Sequence, residues 1–319
     1  SAPGKGSIVI NGGRITIKTV GKGITAAWEV AEDATTADTA DDPNPDVTIN
    51  GGIITVTTSA VPYEKKTADG KTVSCSPEGI EAKSDLVVNG GVIALNTPDD
   101  CLNAGSSITI NGGSIYARST ANDAIDSNGT MKITGGLVMA IGAGGPEGAF
   151  DCDMNEFAVT GGTLVGFGGS TSGPTASACS QPVLIAGKFA AGDSVAIKDA
   201  SGATVVAFKV PAAMPTLVVS APGFKRGGAY TIWTGAAISG GTDFYGIAAG
   251  GASASGGTLS ATFTLSDIVT KIGGMIFMMG PGGPGGLGMP PPEGFGPPPD
   301  GWQPPEGWTP PDGWTPPQP

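Results

Sequence analysis

Eight acidic residues recur at one place in a repeating pattern: Glu78, then Asp99 and Asp100, then Asp123 and Asp126, then Glu147, Asp151 and Asp153. Carboxylates set one above another on neighbouring strands would stand about 5 Å apart, the strand spacing of a β-sheet. Like charges at that distance repel unless a cation or a hydrogen-bond donor lies between them. Hard oxygen donors drawn from several strands suit calcium. Two readings of these acids stand: calcium ligands, or turn caps and solvated charges. Asp38, Asp41, Asp42 and Asp46 lack the spacing of an EF-hand and read as solvated loop acids.

The rest of the composition narrows the chemistry. There is no histidine in 319 residues, which removes the usual general base, the Ser-His and Cys-His pairs and the commonest transition-metal ligand. A net charge of −12 argues against nucleic acid or an anionic membrane and makes cations the natural counterparts. No stretch of 18 apolar residues is present, and an opening at Ser1 without a signal peptide reads as a mature secreted form. Cys75, Cys101, Cys152 and Cys179 show no C-x-x-C spacing. Cys75 and Cys101, like Cys152 and Cys179, are separated by roughly one repeat of the pattern below, so disulfides 75–101 and 152–179 are one expectation and free buried thiols the other.

What must position these residues is a repeat. N-G-G or T-G-G recurs at 11–13, 50–52, 89–91, 111–113, 134–136 and 160–162. Three residues before each Asn or Thr stand Ile8, Val47, Leu86, Ile108, Met131 and Phe157; four after it stand Ile15, Ile54, Ile93, Ile115, Val138 and Leu164. The positions one before and six after are apolar as well. Period two on either side of a glycine turn means two short strands, and columns in register over six repeats mean strand stacked on equivalent strand. Ile80, Leu102 and Ile125 mark a third strand just after the acids. The expected fold is therefore all-β, a parallel β-helix. Residues 1–6 read as a leader, 7–180 as regular coils with loop insertions 31–46 and 58–77, and 181–280 as a less regular continuation of β-coils. The 55 glycines and 27 prolines follow no Gly-X-Y period. Residues 281–319 repeat P-P-D/E-G-W and read as a polyproline-type tail with Trp302, Trp308 and Trp314 in register, preceded by Phe295.

The motifs E-G-I-E-A at 78–82, D-D-C-L-N-A at 99–104 and N-D-A-I-D-S at 122–127, each followed by N-G-G or T-G-G, together with L-V-V-S-A-P-G-F-K-R-G-G-A-Y-T-I-W-T-G at 217–235, resemble a bacterial family of secreted carbohydrate-binding proteins with a polysaccharide-lyase-like right-handed β-helix. The resemblance covers roughly residues 7 to 273. It implies calcium, an acidic or cellulosic polysaccharide partner, and a place at the cell surface or matrix. The family's D-D-G-I becomes D-D-C-L and N-D-A-I here, so the calcium sites are open one by one. Tyr116, Trp233, Phe244 and Tyr245 are candidates for stacking on sugar rings, with ordinary packing as the competing reading. Arg118, one of only three arginines, completes the candidate carbohydrate-binding set. The expected protein is a non-enzymatic, calcium-binding, extracellular polysaccharide binder. The alternative is a self-assembling filament subunit linked end to end and by its Trp-Pro tail, in the same or the next subunit. The third reading is a calcium-dependent lyase with Arg118 as proton acceptor.

Overall fold

A computed structural model of the chain describes residues 6–27, 42, 44–70, 72–169 and 172–273, and among them every regular element is a strand. The repeat takes the form of three strands. The first set is β1 (Ser7–Ile10), β2 (Arg14–Thr19) and β3 (Ile24–Ala26). The second is β4 (Asp46–Ile49) and β5 (Ile53–Thr58), then a hairpin of β6 (Tyr63–Lys66) and β7 (Thr72–Cys75), then β8 (Ile80–Ala82). There follow β9 (Asp85–Val88), β10 (Val92–Thr97), β11 (Leu102–Ala104), β12 (Ser107–Ile110), β13 (Ser114–Ser119), β14 (Ile125–Ser127), β15 (Thr130–Ile133), β16 (Leu137–Ile141), β17 (Phe150–Asp151), β18 (Phe157–Val159) and β19 (Thr163–Gly168).

Each strand pairs in parallel with its counterpart one repeat away. The first sheet runs β1-β4-β9-β12-β15-β18, the second begins β2-β5-β10-β13-β16-β19, and the third is β3-β8-β11-β14-β17. The apolar columns of the sequence are columns in space. Ile15, Ile54, Ile93, Ile115, Val138 and Leu164 are in register, as are Ile24, Ile80, Leu102, Ile125 and Phe150. From the second repeat onward these residues are fully buried in one cluster shared by the three sheets. Burying each such side chain contributes about 1.5–3 kcal/mol, so the columns dominate the stability.

The turns between first- and second-sheet strands obey the glycine rule: the second glycine of every N/T-G-G has φ between 84° and 104°. The asparagines stack as a ladder, in which Asn50, Asn89 and Asn111 each donate to the carboxamide oxygen of the preceding one at 2.8–2.9 Å, and Thr134 donates to Asn111 at 2.8 Å. At the far end of the first sheet, the amides of Thr175, Ser180 and Gln181 bond to the carbonyls of Phe157 and Val159, so that strand edge is already taken.

Two expectations are corrected. The insertion 58–77 is not a plain loop, because Y-E-K-K and T-V-S-C pair as an antiparallel ribbon across a turn at Gly70. Nor do coils continue beyond 181. There lie β20 (Val183–Ala186), β21 (Ser194–Asp199), β22 (Thr204–Lys209), β23 (Thr216–Ser220), β24 (Ala229–Thr234), β25 (Ala237–Ser239), β26 (Thr242–Phe244), β27 (Ile247–Ala249), β28 (Ser253–Ser255), β29 (Thr258–Thr264) and β30 (Val269–Ile272). β23 joins β19 antiparallel, and a fourth, antiparallel sheet runs β26-β27-β22-β21-β24-β29. Only residues 200–203 join β21 to β22, and so short a connection reverses the chain, whereas parallel strands need a long crossover.

The fourth sheet buries its apolar face against Met139, Ile141, Val165 and Phe167, which point outward from β16 and β19. The outward face of the second sheet is thereby covered at that end and left exposed over β2, β5, β10 and β13. Residues 274–319 lie outside the described residues, and with them Phe295, Trp302, Trp308, Trp314 and the proposed tail.

Candidate functional site

The exposed face of the second sheet is built from three outward columns. They are Arg14, Ile53, Val92 and Ser114; Thr16, Thr55, Ala94 and Tyr116; and Lys18, Thr57, Asn96 and Arg118. Ile53 and Val92 are 38% and 43% exposed, unusual for large aliphatic side chains. The four strands carry three cations and no carboxylate, in a chain whose net charge is −12. The face ends at an aromatic wall. Tyr116 stacks on Tyr245, with ring centroids 4.0 Å apart and planes 12° from parallel. Phe244 meets Tyr245 edge-on at 5.1 Å. Arg118 lies two residues from Tyr116 on the same face, its charge close enough to act on the Tyr116 phenol. Burial pushes the Tyr116 phenol up, against the pull of the Arg118 charge. Tyr245 is 49% exposed and held at φ 46° between β26 and β27, so one ring face is backed by Tyr116 while much of the residue meets solvent.

The structure thus brings together Tyr116, Arg118, Phe244 and Tyr245 from distant parts of the sequence. Trp233 is elsewhere, on β24 in the fourth sheet. Its ring is covered by the Lys198 ammonium at 5.1 Å and its indole N–H donates to Thr231 at 3.0 Å.

The acids gather along the third sheet. Thr25, Glu81, Asn103, Asp126 and Asp151 form one outward column. Two residues before the inward Ile24, Ile80, Leu102 and Ile125 come Lys22, Glu78, Asp100 and Asp123, brought level by bonds such as Gly23 N to Glu78 O and Gly79 N to Asp100 O. Asn103 Nδ2 donates to Asp100 Oδ2 at 2.9 Å and to Asp126 Oδ2 at 3.3 Å. Gly148 N donates to Asp123 Oδ1 at 2.5 Å, and Asn122 Nδ2 to Asp99 Oδ1 at 2.6 Å. Asp100 Oδ1 is buried with no hydrogen-bond partner. Burial first, then the neighbouring Asp126, Asp99 and Glu78, pushes the Asp100 carboxyl up to about 8. Asp126 is likewise pushed up to about 8, by burial and then by Asp123, Asp151, Asp153 and Asp99. Asp123 is raised by burial and by Asp151, Asp100 and Glu147, despite its bond from Gly148.

An all-oxygen donor set with an orphaned, buried carboxylate oxygen fits a hard cation. Among the described residues, however, no three of these side chains converge as a ready-made metal cage. Toward the end of the column the acids are satisfied differently. Asp151 Oδ1 accepts from the amides of Cys152 and Asp153 and from the Ser172 hydroxyl, and Asp153 is exposed in a left-handed turn. Glu147 is half-buried and acts on Asp123 through its charge.

The expected disulfides are absent: Cys75, Cys101, Cys152 and Cys179 are free thiols. The hairpin insertion takes Cys75 out of register, so the residue level with Cys101 is Gly79. Cys179 lies over β18 of the first sheet, its thiol against the Val159 amide and the Phe157 carbonyl, while Cys152 follows β17 of the third sheet. Burial raises the Cys101 thiol to about 12 and the Cys152 thiol to about 11.

Three parallel sheets on one core, carrying a flat exposed face and an acidic corner, define the class: an all-β protein of stacked parallel strands. A family model described as a carbohydrate-binding domain-containing protein matches residues 2–123. The match supports carbohydrate binding and is consistent with a non-catalytic role. It spans β1 to β13, and so Tyr116 and Arg118, but not Tyr245. Comparison with curated proteins and with solved structures returns no match.

Proposed function

We propose that the three parallel sheets are the faces of a right-handed β-helix, and that the chain is a non-enzymatic, extracellular binder of acidic polysaccharide at the cell surface or matrix. The observation that carries this reading is the Tyr116–Tyr245 stack with Arg118 beside it, at the end of a face bearing Arg14 and Lys18 and no carboxylate. A sugar chain lying across β2, β5, β10 and β13 meets hydroxyls and amides of Thr16, Thr55, Thr57 and Asn96, apolar patches at Ile53 and Val92, and a terminal aromatic platform. The cations favour uronates over a neutral cellulosic chain.

Asp100, Asp123 and Asp126 would hold calcium at the corner between the second and third sheets, where its charge relieves their mutual repulsion. The test is affinity electrophoresis of wild type, Tyr245→Ala and Arg118→Gln in polygalacturonate and in a soluble neutral glucan. Wild type retarded by polygalacturonate, and both variants less so, supports the reading. Wild type retarded by neither polymer ends it.

A further inference from the structure

We propose that Lys22 is a built-in cation for the first repeats of the acidic corner, standing where a metal ion would otherwise be needed and confining cation binding to Asp100, Asp123 and Asp126. The proposal rests on the calcium reading above and assigns which repeats can take the ion.

Lys22 holds the same place before Ile24 that Glu78, Asp100 and Asp123 hold before Ile80, Leu102 and Ile125. Its ammonium lies 2.6 Å from Glu78 Oε2 and 2.8 Å from Glu81 Oε2. The Glu78 contact is an ion pair rather than a well-aligned hydrogen bond, and burial outweighs it to raise the Glu78 carboxyl. Glu81, almost fully buried, also accepts from the Thr25 hydroxyl at 2.6 Å and pairs with Lys83. The pair Glu78 and Glu81 is therefore already bridged by a positive charge on the protein itself. In the following repeats no lysine takes that role. Asn103, a neutral donor, spans Asp100 and Asp126, and Asp100 Oδ1 is left buried without a partner. A tethered ammonium supplies one charge at no cost in bound ions, but only where the chain offers a lysine two residues before the strand. Removing it leaves Glu78 with no ammonium and Glu81 with Lys83 alone, so two buried carboxylates face each other with a single, more exposed cation between them, the arrangement that draws a divalent cation.

Calcium titration calorimetry on the full chain, checked by terbium luminescence, reads the number of ions bound by wild type, Lys22→Met and Glu78→Gln. The expected result is one additional calcium in Lys22→Met and an unchanged number in Glu78→Gln, because Glu78 is not a ligand in wild type. No gain in Lys22→Met, or a site lost in Glu78→Gln, overturns the proposal. If wild type binds no calcium but Lys22→Met binds one, the role of Lys22 stands while the assignment to Asp100, Asp123 and Asp126 fails. If neither binds calcium, both fall. Should Lys22→Met fold only when calcium is added, that dependence is itself the expected gain. Should it fold at no calcium level, Glu78→Gln decides.

Discussion

Tyr116 on β13 and Tyr245 in the turn between β26 and β27 lie ring on ring, 4.0 Å between centroids, joining the parallel repeats to the antiparallel fourth sheet. A stacked pair of this kind contributes about 0.5–1.5 kcal/mol, and an exposed ring held rigid by a second ring is a preformed platform for a sugar. Tyr245→Ala removes the solvent-facing ring and should weaken polysaccharide affinity about two- to thirteenfold, as the loss of a ring-stacking contact of about 0.5–1.5 kcal/mol does. Because Tyr245 is half exposed and the variant loses only the stacked pair, the melting temperature should fall by a few degrees at most, about 1–4 °C. Affinity electrophoresis alongside a thermal melt checks both halves.

Charge should matter separately from stacking. Arg14, Lys18 and Arg118 face solvent, so their attraction for a polyanion is screened by salt. Binding to polygalacturonate should decline as sodium chloride rises, and Arg118→Gln should reduce it while leaving binding to a neutral glucan nearly unchanged. An equal loss on both polymers would show instead that Arg118 acts only by holding Tyr116.

The repeat and the apolar columns were legible in the sequence because each is a property of one repeat copied at a constant register. The acidic corner was legible for the same reason. Lys22 was missed although K-G-I-T-A at 22–26 matches E-G-I-E-A at 78–82, since attention to acids hides a lysine in the same slot. The disulfides were misjudged because spacing in sequence ignores a hairpin that adds residues before Cys75 without adding a repeat, and a chain that after β19 crosses to the first sheet, where Cys179 lies, instead of forming another repeat. The antiparallel fourth sheet was hidden because short apolar runs read alike in parallel and antiparallel strands, and only the length of the connections separates them. That Tyr116 meets Tyr245 is a tertiary fact no periodicity carries.

Gly79 offers a test of how tightly neighbouring repeats approach. A Cβ there would lie 2.5 Å from the carbonyl oxygen of Cys101, a backbone atom that cannot swing aside. The preceding repeat makes the same approach, since a Cβ at Gly23 would lie 2.5 Å from the Gly79 carbonyl oxygen, whereas the following repeats carry Cys101 and Ala124 at the level position. Gly79→Ala should destabilise by about 1–3 kcal/mol, as overpacking does. Ala124→Gly, where no such contact is relieved, should give a smaller loss, and urea unfolding of the two variants compares them.

Four free thiols make a simple prediction. Unfolded protein should react with four equivalents of a thiol reagent without prior reduction. In the folded protein Cys101 should be inert, because it is fully buried and its thiol is raised to about 12, leaving almost no thiolate at neutral pH. Cys75 and Cys179, both partly exposed, should react first. Fewer than four equivalents after unfolding would indicate a disulfide.

The acidic corner should make stability depend on pH in an uncommon direction. Asp100 and Asp126 are raised to about 8, far above the ordinary aspartate value of about 3.9. A carboxyl raised by folding contributes its full stability below the unfolded value, and that contribution is lost as pH rises through the folded value. Glu81 acts in the opposite sense. Burial alone would raise it, but bonds from Lys22, Lys83 and Thr25 outweigh burial and hold it low, so its contribution is lost as pH falls through the acid range. In chelator the melting temperature should therefore peak near about pH 5 and decline toward about pH 9. Calcium binds the ionised carboxylates, so millimolar calcium should raise the melting temperature strongly at the alkaline end and little at the acid end. A chelated protein that melts at the same temperature across this range would show that Asp100 and Asp126 are not buried as described. A decline that calcium fails to reverse would leave their burial intact and remove the metal.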